Sequence, residues 1–430
     1  MSDNQNSGGN DNPPADDSND KFEDQINLIL AEFGDEIEID PPDWRTAGVN
    51  SIYRAGSVLV RDHDAPRTLD LFRGGDVRRS RLGVTQLDLP AVVPADAPGG
   101  DRLTPTQRFL EQADVQLGRG TVTPDHLVYV CKSVSPCPAT EPEVVSDGAA
   151  PEPFLSMVGK ADGRGVKVVV LDVGWTEAPH ARWLDGVTGE EELAFDPETG
   201  LIRPYAGHGT FIAGVVRAIA PKTEVVVKSY FDKAGAMFEV DLADRLAEAL
   251  AEDPDIISLS AGSKTRFDIP SLALGAFSRP RENSADGPVL VAAAGNDGDD
   301  RQFWPAAHPE AVSVGALAAD ETSRASFSNF GSWVDVYAPG ENLVNAFLTG
   351  EYQCTERPNK GQLRKFAGMA RWSGTSFSTP VVAGLIAARI SLTGERPKQA
   401  ANALLAYSRT RVLPDVGPVL LPGDARASTK

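Results

Sequence analysis

The sequence predicts an α/β protein in which a small N-terminal α+β unit precedes a doubly wound, mostly parallel sheet. Three observations indicate this. Apolar runs alternate with helical segments from about residue 158 onward, as in successive βαβ units. A segment with five prolines, residues 136–153, separates this region from an earlier group of strand-like and helical patterns. Hydrophobic residues make up 41% of the 430, which excludes a wholly disordered chain.

The first 45 residues are predicted to be an acidic, disordered tail. Residues 1–43 hold 13 Asp and Glu but only one Lys, so they contribute −12 of the net charge of −20. Residues 1–20 contain almost nothing to bury and cannot offset the entropy lost on ordering. An apolar patch, Ile26–Phe33, interrupts the acidic run and would suit either a docked amphipathic helix or a recognition segment.

Residues 46–135 are predicted to form the α+β unit. Thr104 and Pro105 suit the N-cap and the first position of a helix. The predicted order is strand, helix, strand, helix, strand, at about 51–62, 67–73, 84–89, 105–113 and 126–131. Residues 136–157 are predicted to be a stiff, Pro-rich linker.

Residues 158–425 are predicted to form the main domain. Its apolar runs are predicted strands, at 166–171, 224–228, 256–260, 289–294 and 311–315. A helix over Gly209–Ile219 should stop at Pro221, and Asp241 is expected to cap the next one. Ligands of such sheets bind at the carboxyl ends of the strands, which is where functional residues are expected.

Charge and composition exclude several classes of partner. A net charge of −20 argues against nucleic acid, because phosphate backbones are bound by Lys and Arg surfaces. No run reaches the ~18 apolar residues of a membrane span, and the first residues lack the pattern of a signal peptide, so a cytoplasmic location is expected. The three cysteines, Cys131, Cys137 and Cys354, are interpreted as reduced thiols, with a Cys131–Cys137 bridge as the alternative.

Three segments place chemistry-bearing residues where elements end or begin. Asp172 follows the strand VKVVVL, His208 opens a helix in GHGTFIAG, and Ser376 opens another in SGTSFSTP. Acyl transfer needs such a set: a nucleophile, a base that takes its proton, and a carboxylate that orients the base. Pro380 is expected in the first turn of the helix that Ser376 opens.

A fourth residue, Asn296, follows the strand VLVAAAG. Its side-chain amide could donate a hydrogen bond to the oxyanion that forms when a carbonyl is attacked. The helix N-terminus at Ser376 would stabilise the same developing charge.

These segments resemble those of the subtilisin-like serine peptidases, or subtilases, over residues 158–410. The resemblance rests on the Asp, His, Ser order, the AAGN turn, VDVYAPG at Val334–Gly340 and GTSFSTP at Gly374–Pro380. It implies that Ser376 is the nucleophile, His208 the general base, Asp172 its orienting partner and Asn296 the oxyanion donor. His208 and Asn296 distinguish the chain from sedolisins, which use Glu and Asp there. Val173 departs from the family pattern, which has Ser or Thr after the Asp, and predicts a modest loss of activity.

The resemblance also implies a substrate and a regulator. A peptide or protein substrate would add as a strand beside Ser258, Leu259, Ser260, Ala261 and Gly262, with a second flank near residues 229–236. By position and pattern, the α+β unit resembles the family's inhibitory prodomain and is expected to restrain the site. No cofactor is predicted: calcium is compatible with the resemblance, but residues 296–300 (NDGDD) lack the spaced ligands of a dedicated loop.

Three functional hypotheses follow. The first is a serine endopeptidase regulated by its N-terminal region. The second is a catalytically weak or silent module that binds extended peptides, for which Val173 is the sequence support. The third is a peptidase restricted to one processing event.

Overall fold

The computed structural model describes residues 17–71, 77–79, 83–89, 103–130, 140–146, 148–152, 161–178, 180–231, 234–277 and 287–426. Cys131, Cys137 and the acidic residues before Asp17 lie outside these ranges, so the alternatives for the two cysteines stay open. Within these ranges, the chain forms an N-terminal unit, residues 17–130, and a larger α/β region built around a parallel sheet.

The N-terminal unit packs its helices against an antiparallel sheet. Strand β2 is central, because β1, β4 and β5 all pair with it, and β3 extends the sheet beyond β4. Its elements are α1 (Asp17–Phe33), β1 (Ile37–Asp40), α2 (Trp44–Ala47), β2 (Ser51–Arg61), α3 (Ala65–Leu71), β3 (Val77–Arg79), β4 (Val84–Asp88), α4 (Pro105–Leu117) and β5 (Val122–Tyr129). The predicted N-cap at Thr104 is present. The Thr104 hydroxyl accepts a hydrogen bond from the Gln107 N–H, and the Gln107 side chain accepts one from the Thr104 N–H.

Residues 17–45 differ from the disordered tail that the sequence predicts. Ile26, Ile29 and Phe33 on one face of α1 are buried, and the Phe33 ring packs edge-on against Phe238 at 5.6 Å. This apolar face anchors the helix although the helix also carries five acidic residues. The Asp24 carboxylate also binds the Arg357 guanidinium at 2.9 Å and Lys360 Nζ at 2.7 Å.

The main sheet has seven strands, all parallel, in the order β14-β13-β12-β11-β7-β9-β8, which confirms the predicted doubly wound fold. Its strands are β7 (Lys167–Asp172), β8 (Thr188–Gly189), β9 (Glu224–Ser229), β11 (Ile256–Leu259), β12 (Val289–Ala293), β13 (Ala311–Leu317) and β14 (Val336–Pro339). The helices are α5 (His208–Ile219), α6 (Glu239–Leu250), α7 (Leu272–Phe277), α8 (Thr375–Thr393) and α9 (Pro397–Ser408).

The remaining strands lie at the edges of this region: β6 (Glu143–Val144), β10 (Ala236–Phe238), β15 (Leu343–Gln353), β16 (Leu363–Trp372), β17 (Val412–Leu413) and β18 (Gly417–Pro418). Strand β10 pairs with β5 and so joins the sheet of the N-terminal unit. Strands β15 and β16 form a long hairpin whose second strand pairs with β6. Part of the predicted linker is therefore a strand of this hairpin sheet, and Glu141 beside it accepts hydrogen bonds from the Tyr352 hydroxyl and the Thr355 N–H.

Helix α8 lies at the centre of the core. Every residue from Thr375 to Arg389 is buried, because the helix packs against α5, α9 and several strands of the main sheet. Within the described residues it alone is long and apolar enough to cross a membrane, and 83% of its most apolar window is buried inside the protein.

Two local predictions differ from the structure. Helix α6 begins at Glu239, so Asp241 lies inside its first turn instead of capping it, and the Asp241 carboxylate binds Arg54 and Arg78 of the N-terminal unit at 2.7 and 2.6 Å. Pro380 lies in the second turn of α8, since that helix already begins at Thr375.

Candidate active site

Asp172 and His208 form a fully buried pair at the end of β7 and the start of α5. Nδ1 of His208 lies 2.8 and 2.9 Å from the two carboxylate oxygens of Asp172. Since a carboxylate accepts hydrogen bonds, the proton of the neutral ring resides on Nδ1 and leaves Nε2 unprotonated. The Val173 N–H donates to Asp172 Oδ1 at 2.9 Å, so the backbone at the atypical Val173 holds the carboxylate.

The ring of His208 is held by aromatic contacts. Trp372 packs against it edge-on with centroids 5.6 Å apart, and Phe377 lies 5.3 Å away. Nε2 of His208 is buried and makes no hydrogen bond to the part of the chain that the structure describes. A buried imidazole nitrogen of this kind is available to accept a proton from a reacting group.

Ser376 lies in the first turn of α8, directly before Phe377. Its carbonyl cannot accept the usual helical hydrogen bond, because the residue four positions later is Pro380, which has no N–H. The Ser260 hydroxyl donates to this carbonyl instead, at 3.1 Å. Because Pro380 leaves the Ser376 carbonyl without its helical donor, that carbonyl can bind Ser260, the residue that follows β11.

Asn296 is fully buried and bound to the residue before Ser376. Its Oδ1 accepts from the Thr375 N–H at 2.8 Å and from the Thr375 hydroxyl at 2.9 Å. Because the carbonyl end of the amide accepts both bonds, the donating Nδ2 is the end turned away from Thr375. The side chain is thus fixed in one orientation beside the N-terminus of α8.

Glu192 is a site residue that the sequence analysis missed. Its carboxylate accepts a hydrogen bond from the Gly207 N–H at 2.9 Å and another from the Thr176 hydroxyl at 2.5 Å. Gly207 directly precedes His208 in the chain. Burial raises the pKa of Glu192 to about 7, and these two hydrogen bonds only partly oppose that shift. The sequence gives no signal for it, because EEEL at 190–193 looks like a solvated acidic run.

A strand of the N-terminal unit occupies the groove that the sequence assigns to substrate. Tyr129 and Gly262 exchange backbone hydrogen bonds of 3.0 and 2.9 Å, and the Val130 N–H donates to the Gly235 oxygen at 2.8 Å. On the other side, β5 pairs with β10. The end of β5 thus lies between the two flanks predicted to hold a peptide.

The structure contradicts the predicted substrate strand at Ser258 and Leu259, whereas Ser260, Ala261 and Gly262 remain predicted to pair with a peptide. Ser258 and Leu259 are interior residues of β11, which pairs with β7 on one edge and β12 on the other. Their backbone groups face sheet neighbours on both edges, so no peptide can pair with them. The chain becomes available for pairing only after β11 ends.

A buried lysine pairs with two of the three aspartates in the turn after Asn296. Nζ of Lys264, which is 2% exposed, lies 2.6 Å from an Asp299 carboxylate oxygen and 3.4 Å from one of Asp297. Over the described ranges, no group of three or more His, Cys, Asp or Glu is arranged to hold a metal ion. Cys354, the one cysteine within the described ranges, is buried, and burial raises the pKa of its thiol to about 11.

Comparison with known proteins agrees with this geometry. Residues 163–409, more than half of the chain, match the profile of the subtilase family. An intracellular serine protease of Paenibacillus polymyxa is 32% identical over 243 residues, covering 52% of this chain and 66% of the relative. Subtilisin-like protease 2 of Arthroderma otae is 29% identical over 295 residues, covering 63% of this chain and 62% of the relative. The chain thus spans just under two thirds of the length of these curated relatives.

A solved structure shows the same fold. Fervidolysin from Fervidobacterium pennivorans, described as a keratinolytic enzyme related to subtilisin, superimposes with a TM-score of 0.54 at 17% identity, covering 88% of this chain and 61% of fervidolysin. The all-parallel sheet, the Asp172–His208 pair and the matched profile lead to one conclusion. The chain belongs to the subtilase family.

Proposed function

We propose that this protein is a serine endopeptidase that cleaves peptide bonds through an acyl-enzyme on Ser376. The observation that carries the proposal is the buried Asp172–His208 pair, whose unprotonated Nε2 has no hydrogen-bond partner in the described structure. The residues on both sides of Ser376 support the proposal, since Phe377 packs against His208 and Thr375 binds Asn296.

In the proposed reaction, the Ser376 hydroxyl oxygen attacks the carbonyl carbon of the scissile bond while His208 Nε2 takes the hydroxyl proton. Asn296 Nδ2 and the N-terminus of α8 stabilise the negative charge that forms on the carbonyl oxygen. The C–N bond then breaks, and His208 gives its proton to the departing amine. Water, deprotonated by His208, hydrolyses the remaining ester and restores Ser376. Asp172 stays ionised throughout and stabilises the His208 cation.

We further propose that the N-terminal unit inhibits this site by occupying its peptide groove. Strand β5 uses the backbone atoms of Gly235 and Gly262 that a substrate strand would need. Two charged clusters reinforce the contact: Asp241 binds Arg54 and Arg78, and Asp24 binds the tip of the β15–β16 hairpin. Full activity is expected after a cut between β5 and β6.

The decisive experiment is intact-mass measurement after incubation with a fluorophosphonate. The native chain and the Ser376→Ala variant are compared, each with a site for an unrelated protease placed between residues 132 and 138 and each measured before and after that cut. A single adduct on the native chain, absent from the variant and increased by the cut, supports both proposals. No adduct in either state of the native chain would contradict the endopeptidase and favour a silent peptide-binding module.

A further inference from the structure

The pairing of Tyr129 with Gly262 sets the register of any peptide that replaces β5 in the groove. The two residues form an antiparallel bridge. In an antiparallel pair, residue numbers rise along one strand as they fall along the other. The peptide residue two positions after the one that replaces Tyr129 therefore lies opposite Ser260. The Ser260 hydroxyl is bonded to the Ser376 carbonyl. Ser260 therefore lies beside the Ser376 backbone, and we assign the residue opposite Ser260 as the one whose carbonyl meets the nucleophile.

The direction of that residue's side chain follows from the period of a strand. Residues two apart along a strand project to the same face. The Tyr129 ring projects toward Phe303, with ring centroids 6.2 Å apart. The side chain of the residue on the acyl side of the scissile bond therefore also projects toward the face where Phe303 lies.

Phe303 fills the gap between the two walls of the site on that face. One wall is the peptide-pairing backbone at Gly262, and the other is the turn at Gly295 that leads into Asn296. A Cβ added to Gly262 would lie 2.4 Å from Phe303 Cε1, and one added to Gly295 would lie 3.1 Å from Phe303 Cγ. The ring touches both walls and is fully buried.

The position of Phe303 is fixed by its neighbour. Trp304 exchanges backbone hydrogen bonds of 2.9 and 2.8 Å with Ser263, so the segment that carries Phe303 runs beside the same wall. Interiors packed at this density do not open to admit a second large side chain without displacing the first.

We propose that Phe303 determines the specificity of this site and restricts the residue on the acyl side of the scissile bond to a small one: Gly, Ala, Ser or Cys. This inference rests on the proposed endopeptidase function. Replacing Phe303 by a small residue should open the gap to large apolar side chains, because Gly262 and Gly295 contribute no side chains of their own to its two walls.

The test uses two fluorogenic peptides that are identical except for Ala or Phe on the acyl side of the scissile bond. The native chain, Phe303→Ala, Phe303→Leu and a control, Leu404→Ala, are assayed after the engineered cut between residues 132 and 138. Leu404 is buried in α9, so its variant reproduces the loss of a core side chain away from the groove.

The native chain should prefer the Ala peptide in kcat/KM by at least about ten-fold. Phe303→Ala should raise the Phe-to-Ala ratio by at least about ten-fold, Phe303→Leu by less, and Leu404→Ala should leave the ratio unchanged. Fluorophosphonate labelling is followed in parallel. A native chain that is labelled but cleaves the Phe peptide as well as the Ala peptide overturns the inference alone, as does a labelled Phe303→Ala with an unchanged ratio. A native chain that is neither labelled nor active overturns the proposed function, and the inference with it.

Discussion

The Trp372 indole N–H donates a 2.6 Å hydrogen bond to the Thr140 carbonyl. The same indole ring packs edge-on against His208. Thr140 precedes β6, which lies within the Pro-rich segment and is paired with β16. Residues 140–144 thus support the aromatic wall behind the proposed general base, and they pack with the main α/β region rather than with the N-terminal unit.

Replacing Trp372 by Phe should lower kcat about ten-fold and leave KM nearly unchanged, because His208 loses its fixed wall while the peptide groove is untouched. Steady-state kinetics on the cut chain measure this. Trp183→Phe is the matched control, since the Trp183 indole also donates a hydrogen bond, to Asn345 Oδ1 at 3.0 Å, and has no ring contact with His208 among those the structure shows. Equal losses in the two variants would show that Trp372 acts only through general stability.

Asn296→Ala should lower kcat by about 10²–10³-fold, equivalent to about 3 kcal/mol of transition-state stabilisation, with little change in KM. The physical reason is that Nδ2 donates to an oxyanion that exists only after attack. The fluorophosphonate labelling rate should fall in parallel. An increase in KM with kcat unchanged would instead assign Asn296 to ground-state binding.

Glu192→Gln should change how stability depends on pH. The folded-state pKa of Glu192 is about 7, raised from an ordinary value of 4.5. Between these values the folded state keeps a proton that the unfolded chain has released, so the free energy of unfolding falls as pH rises through this window. Glu192→Gln has no such titrating proton, so its free energy of unfolding should fall less steeply as pH rises.

Urea unfolding at several pH values between about 4.5 and 7.5, in a Ser376→Ala background to prevent self-digestion, measures this slope. Asp125 stays as an internal reference, because burial raises the pKa of its carboxyl to about 7 as well and its contribution remains in both proteins. Parallel curves for the two proteins would mean that Glu192 does not titrate in this window.

Asp24→Asn should loosen α1 from the β15–β16 hairpin and lower the free energy that holds the helix there by about 1 kcal/mol. The loss is modest because Arg357 and Lys360 are partly exposed. Burial acts to raise the pKa of Asp24, but the hydrogen bonds and charges of Arg357 and Lys360 outweigh it and hold the pKa below its ordinary value. The stabilisation should therefore be present at neutral pH and disappear as acid protonates the carboxylate.

Hydrogen exchange of the α1 amides measures this loosening. Glu23→Gln is the control, because the ion pair that the described residues show for the neighbouring Glu23 is to the exposed Arg45, at 3.3 Å. Faster exchange in Asp24→Asn alone, with earlier fluorophosphonate labelling, is the expected result. Identical exchange in both variants would show that the apolar face of α1 suffices to hold it.

Local sequence pattern locates the proposed reacting groups but not the residues that support them. Asp172, His208, Asn296 and Ser376 lie at or next to the ends of strands and helices, where local pattern and chain order single them out as candidates. Tyr129, Trp372 and Phe303 act through partners far along the chain, and nothing in a local pattern distinguishes them from ordinary core residues. The sequence predicts a disordered tail where α1 forms, because acidic residues dominate the composition of this segment. Three buried apolar side chains nevertheless determine the position of the helix.

Among the described strands, β10 pairs with β5 and with no strand of the parallel main sheet. If β5 departs, β10 becomes an open edge of three residues with unsatisfied backbone groups, a surface that can pair with any extended chain. Under the proposed function, β5 and a substrate would compete for this one edge. Any substitution on β10 or at Gly262 that strengthens backbone pairing with substrate would strengthen pairing with β5 as well, so tighter binding of peptides in general would also tighten the inhibition. Only contacts to side chains, which depend on the sequence of the bound strand, would separate the two.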